Sequence, residues 1–298
     1  MTGLLLRRLG ISLIVLFIVS IVVFAAPQLI PNDAANNTGL TGPIQQYFGW
    51  LAAIFTGDFG SSGLTGEPVS GMLGQHILNS LTLIVGATLI AVPVGILLGV
   101  FSAQRHDMRQ APSVPWLSVV VGALPEFVVG IALIALFATS VSQVLPAMTI
   151  YAPEANVWAY PLQLILPICT LIFVATPYIV RKTRSILLEA LGSEYAEMAR
   201  LKGVPEKRIV RDHALPNVIG PVTHVVARQL VWLIGAVVVV EYLFAYPGIG
   251  KALVDATLHR EVQVVQPIAL LAAVVTVMLS VLADTVDVLV NPRCRSTT

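Results

Sequence analysis

The chain alternates long apolar runs with polar segments. Six runs stand out, at residues 9–30, 81–103, 116–139, 162–180, 218–243 and 264–282, the last continuing to residue 289 past Asp284 and Asp287. Each is close to or above the ~20 apolar residues that a helix needs to cross the hydrocarbon core of a bilayer. The runs show no apolar/polar alternation, so they predict helices rather than the strands of a membrane barrel. Charge is nearly absent from them: Glu126 interrupts the third, and the fifth carries His224 and Arg228, with Glu241 at its end. Gly95 and Gly99 stand four residues apart in the second run, a spacing that lets two helix backbones approach closely. Pro167 and Pro177 fall within the fourth.

Composition supports this reading. Of 298 residues, 56% are hydrophobic and 11% charged, whereas soluble domains carry about 25% charged residues. The net charge of +1 argues against a strongly basic nucleic-acid binder and against an acidic disordered chain. Cys169 lies in an apolar run and Cys294 in the polar tail, so no disulfide framework is expected. No low-complexity tract or linker divides the chain, which reads as a single membrane domain over residues 1–298. Arg7 and Arg8 precede the first run as they would in a signal peptide. Its 22 residues exceed the 7–15 of a signal core, so it reads as a retained span.

Basic residues set the orientation, because they concentrate in cytoplasmic segments. With the N-terminus inside, 14 Lys and Arg fall in inner segments and only Lys251 and Arg260 in outer ones. Both termini are then cytoplasmic, with outer loops at 31–80, 140–161 and 244–263. The inner loops are 104–115 and 181–217.

The 181–217 connection is long for a compact helical protein. Within it, residues 194–202 form a short amphipathic helical pattern. Ser193 stands as a potential N-cap, Glu194 and Glu197 fall in the first turns, and Arg200 and Lys202 in the last. Gly203 can take the left-handed closing position, with Pro205 beyond it. Tyr195, Met198, Ala199 and Leu201 give this helix apolar surface that needs a partner. A solvated basic linker would explain the charges, but not the apolar face, cap and glycine together.

Residues 194–203, Glu-Tyr-Ala-Glu-Met-Ala-Arg-Leu-Lys-Gly, are followed by Ile209 and by His213-Ala214-Leu215-Pro216-Asn217. This stretch resembles the "EAA" loop of ABC importer permeases, in the form found in the dipeptide/oligopeptide/nickel branch. Residues 240–250, Val-Glu-Tyr-Leu-Phe-Ala-Tyr-Pro-Gly-Ile-Gly, are similar to that branch's segment leaving the fifth helix. The C-terminal Asn291-Pro292-Arg293 resembles its closing Asp-Pro-Arg, and residues 57–61 its Gly-Asp-x-Gly-x-Ser pattern. Pro31-Asn32-Asp33-Ala34 departs from the branch's Pro-Gly-Asp-Pro.

The resemblance implies an all-α fold of six transmembrane helices, as in type I ABC importer permeases, in the plasma membrane. It implies a pore subunit that moves a peptide-like solute inward, with nickel, glutathione and oligosaccharides as alternative cargoes. The implied partners are a second, non-identical permease subunit, two ATPase subunits and an extracytoplasmic solute-binding protein, with no nucleic acid. ATP and Mg2+ would be held by the ATPases, with no cofactor or metal on this chain. Glu194, Ala199, Arg200 and Gly203 are the implied coupling residues, with Glu197 a solvent-facing neighbour.

Other chemistries lack their residues. Gly248, Gly250 and Lys251 suggest a phosphate loop, but Ala245 and Ala252 occupy positions where that motif needs Gly and Ser/Thr. The five histidines show no zinc spacing, and no nucleophile elbow appears. A secondary transporter would call for an internal repeat or paired intramembrane carboxylates, and neither is evident. Glu126 and Arg228 each lie ten residues into their runs, at matched depth, so a pair lining the pathway, within the subunit or across the pore, is expected. Glu241 falls at the outer end of the fifth run, where solvent could reach it, as a structural cap or a contact of an outer gate.

Overall fold

The computed structural model describes residues 2–26, 42–63, 66–104, 113–139, 144–149 and 157–290. Residues 31–34, Arg105, His106, Arg109, Cys294 and the 291–293 motif lie outside the described residues.

Among the described residues the chain is helical, with a single isolated bridge between Ser61 and Pro68. The helices are α1 (Thr2–Ala25), α2 (Pro43–Phe55), α3 (Val69–Gln104), α4 (Ser113–Gly122), α5 (Glu126–Phe137), α6 (Pro161–Leu191), α7 (Glu194–Leu201), α8 (Glu206–Arg208), α9 (Leu215–Leu243), α10 (Ile249–Leu258) and α11 (Val262–Val290). A 3-10 turn precedes α6, and a π-helical turn, Ile209–Ala214, joins α8 to α9. Four helices are long and apolar enough to cross a bilayer, within Val69–Gln104, Pro161–Leu191, Glu206–Leu243 and Val262–Thr285. Trp116–Gly122 and Glu126–Phe137 make a fifth span if joined, and Leu9–Ala25 is a shorter apolar helix.

The structure corrects several expectations. The third apolar run is not one straight helix: α4 and α5 meet at a bend of 100°. Pro125 explains the break, since it brings no amide proton and pushes Leu124 out of the α region. It stands as the N-cap of α5 in extended conformation, so Glu126 opens a new helix. The fourth run continues as helix to Leu191, because beyond the apolar stretch charged side chains tolerate a helix in water. Helices α2 and α10 occupy segments that read as outer loops.

The described chain forms two compact units. In the unit of residues 1–81 and 247–281, α2 lies on α1. The Ser20 and Tyr47 hydroxyls are 2.7 Å apart, and Phe24 meets the Tyr47 ring edge-on at 5.4 Å. Gly57 and Gly60 both take left-handed φ, and the Gly60 N–H donates to the Asp58 carboxylate at 3.0 Å. The Gly-Asp-x-Gly pattern is therefore a tight turn. Ser62 then donates to the Glu261 carboxylate at 2.6 Å. The Pro247 carbonyl accepts from Asn79 at 2.8 Å and lies 2.9 Å from His76 Nδ1.

In the unit of residues 82–246 and 282–298, α6 packs against α9, α4 and α5. Leu83, Leu166, Leu171, Leu233, Val240 and Phe244 form its buried core. The two glycines of α3 face α6: a Cβ on Gly99 would lie 2.7 Å from Thr183 Cβ and 3.0 Å from the Val180 carbonyl. Gly99→Val should therefore overpack this contact by about 1–3 kcal/mol. Lower thermal stability of the detergent-purified protein, with Gly99→Ala intermediate, would show it.

Candidate functional site

Helix α7 is built by local rules. Ser193 precedes it in extended conformation, with Glu194 and Glu197 in its first turn and Arg200 in its last. The expected side-chain cap is not made: the Ser193 hydroxyl instead donates back to the Ala190 carbonyl at 2.5 Å. At the other end Gly203 has φ 76°. Its N–H donates to the Arg200 carbonyl at 2.9 Å, and the Val204 N–H to the Ala199 carbonyl at 3.1 Å. These two bonds are the Schellman closure, which needs a left-handed residue at the Gly203 position.

One face of α7 is committed to its own loop. Ala196 and Ala199 are buried on Ile209, with Leu191 and Val204 around them. Arg200 donates to the Glu206 carboxylate and, at 3.0 Å, to the Leu191 carbonyl. It thus ties the ends of α6, α7 and α8 together. The opposite face has no such contacts. Tyr195, Met198 and Leu201 are 37%, 60% and 78% exposed. Of the four residues implied for coupling, Ala199, Arg200 and Gly203 shape the loop, and Glu194 lies exposed at the helix start.

Beyond Arg208 the chain enters the π-helical turn and runs on as α9. Arg211 donates to Asp212 at 2.7 Å, and Arg208 lies 3.6 Å from it. The Arg211 hydrogen bond, above all, holds the Asp212 carboxyl below the usual carboxylate range. This exposed pair therefore persists above the ordinary carboxylate pKa and is lost only as pH falls through the lowered value.

A second feature lies within the same unit. A cavity of about 380 Å³ is lined by Glu126, Tyr178, Arg181, Arg228, Gln229 and Trp232, among others. The break before α5 upsets the straight-helix depth count for Glu126, yet the cavity still brings Glu126 and Arg228 together. Within this chain they do not pair directly: among the described residues neither has a hydrogen-bond or ion-pair partner, which leaves the expected pairing across the pore open. Arg181, the first residue of the expected inner loop 181–217, also lines the cavity. Its guanidinium donates to the Ser118 carbonyl in space left open by Gly122. Charged side chains on membrane-spanning helices turn toward protein or water rather than lipid, so this cluster is a candidate for a wet or ligand-facing space.

For Glu241 the structure corrects the expected access to solvent. It is fully buried, at 0% exposure, rather than open to solvent. The chain reverses immediately after α9, with Ala245 in the left-handed region at φ 52°. The Tyr246 N–H returns to the Glu241 carbonyl at 2.8 Å. Phe244 and Tyr246, both buried, close over the helix end. Such burial comes from the tertiary reversal and is not visible in helical periodicity.

Comparison with known proteins agrees with this architecture. The family described as binding-protein-dependent transport system inner membrane component matches residues 95–296. The chain is similar to a probable peptide ABC transporter permease of Sinorhizobium fredii, 31% identical over 97% of this chain and 98% of the relative. It is also similar to a dipeptide transport system permease of Lactococcus lactis, at 30% over 97% and 98% of the two chains. An oligopeptide transport system permease of Bacillus subtilis is 32% identical over 86% of this chain and 82% of its own. A match over most of the chain, together with several apolar helices of spanning length, places it as a multi-pass protein of the plasma membrane. The chain belongs to the family of inner-membrane components of binding-protein-dependent transport systems.

Proposed function

We propose that this chain is a pore-forming subunit of an ATP-driven peptide importer, and that α7 seats it on an ATPase subunit. The observation that carries the docking role is the exposed stripe of Tyr195, Met198 and Leu201 on a helix whose opposite face is locked in place. Exposed apolar surface of this kind on a charged cytoplasmic loop is typical of a protein-binding site. Peptide as cargo follows the relatives, whose names specify peptide, dipeptide and oligopeptide transport. None of those three names nickel, glutathione or an oligosaccharide.

In this reading all 298 residues form one permease domain with six spans: α1, α3, the α4–α5 pair, α6, α9 and α11. Both termini are cytoplasmic, as the basic residues direct. A second permease subunit completes the pore, and an extracytoplasmic binding protein delivers the peptide. ATP and Mg2+ are held by the ATPases. The chain itself is a transport component, not an enzyme.

Reconstitution tests this. The purified subunit alone in liposomes should hydrolyse no ATP and accumulate no peptide on a proton gradient. With its partners and ATP, accumulation should appear. Gradient-driven uptake by the chain alone would replace this reading with that of a secondary transporter.

A further inference from the structure

We infer that the cavity lined by Glu126, Arg181 and Arg228 binds the free C-terminal carboxylate of a peptide in transit; this rests on the peptide-importer reading. Two guanidinium groups and one carboxylate line a single cavity in the membrane-spanning part of the chain. Arg228 has no partner among the described residues. Arg181 is tethered to the Ser118 carbonyl through one nitrogen, which leaves other donors for a ligand. A guanidinium matches a carboxylate with two parallel hydrogen bonds, the pairing for which arginine is preferred over lysine.

The lining therefore carries an excess of positive charge. Glu126 breaks its uniformity, repelling a carboxylate from its own side and directing it toward the arginines. Tyr178 and Trp232 offer broad, amphipathic surfaces that tolerate different side chains. At about 380 Å³ the cavity lies at the small end of ligand pockets, enough for a peptide end rather than a long peptide. A free carboxylate is the one anionic group shared by peptides of every sequence. Recognition through it would leave the side chains unread.

Binding by the complete complex of permease and ATPase subunits in nanodiscs, with the binding protein omitted, removes that protein's own selectivity. The probes are trialanine and its C-terminal amide. The amide should bind at least about tenfold more weakly, the scale of a lost charge-assisted contact. Arg228→Gln should bring the two ligands within about twofold of each other, and Arg228→Lys should keep part of the difference. Equal binding of acid and amide by the wild-type complex, or no saturable binding of either, overturns the inference. If Arg228→Gln does not assemble, the wild-type comparison still decides it. Absence of any ATP-driven peptide uptake by the full system would count instead against the importer reading.

Discussion

Gly203→Val is expected to leave the protein in the membrane while stopping ATP-driven transport. Gly203 holds φ 76°, and no heavy atom lies within 4 Å of where its Cβ would be. The obstacle is therefore the backbone itself. A left-handed conformation costs an ordinary residue roughly 1–2 kcal/mol, and it is a true outlier for a β-branched one. Relaxing it would break the two bonds that close α7 and shift the Val204 side chain out of the Ala196, Ala199 and Ile209 cluster. Gly203→Ala, with only one extra carbon, should retain part of the activity. Membrane yield, ATPase co-purification and uptake measured together would check the series. Wild-type uptake and co-purification by Gly203→Val would refute a coupling role for α7.

The second large effect concerns the docking face. Leu201→Asp, or Met198→Asp, should detach the ATPase subunit without disturbing the permease fold. Both side chains are mostly exposed, so the substitutions remove little internal packing. At a protein interface they would bury a charge where an apolar anchor sat, and losing a hot spot costs about 2–4 kcal/mol. That corresponds to roughly a 30- to 1,000-fold loss of affinity. Ala196→Asp is the contrast: fully buried, it should damage the loop itself. Pull-down of the ATPase with each variant separates the outcomes. Full retention by Leu201→Asp would mean that the partner binds elsewhere.

The sequence revealed most where the physics was local or imposed by lipid. Apolar runs of spanning length must be helical, because no water satisfies their backbones, and α9 and α11 end close to where their runs end. The α7 helix was legible because its turn charges and Gly203 act within a few residues. Its N-cap was not: Ser193 stands in place but bonds backward, a choice between two nearby carbonyl and amide partners. Pro125 offered a signal for the broken third span that the unbroken hydrophobicity of residues 116–139 concealed. Arg181 and Glu241 depend on packing that the sequence pattern does not carry. A basic residue opening an inner loop satisfies charge asymmetry and a carboxylate at a helix end suggests solvent, and only tertiary packing puts the first in a cavity and the second out of reach of water.

The π-helical turn leaves no gap between α8 and α9, so residues from Glu206 to Leu243 form one continuous 38-residue helix. At 1.5 Å per residue this is a rod of roughly 57 Å, nearly twice the ~30 Å of the hydrocarbon core. Ile209, at its near end, is the residue on which α7 rests. Arg228 lies on its shaft, and Glu241 is enclosed at its far end. If α7 receives the ATPase stroke as proposed, the stroke would enter this helix at one end, and its π-helical turn and Pro221 are the two places where the backbone could flex. Work done at that end would reach the cavity and the far end along one unbroken backbone, attenuated or redirected at those two positions.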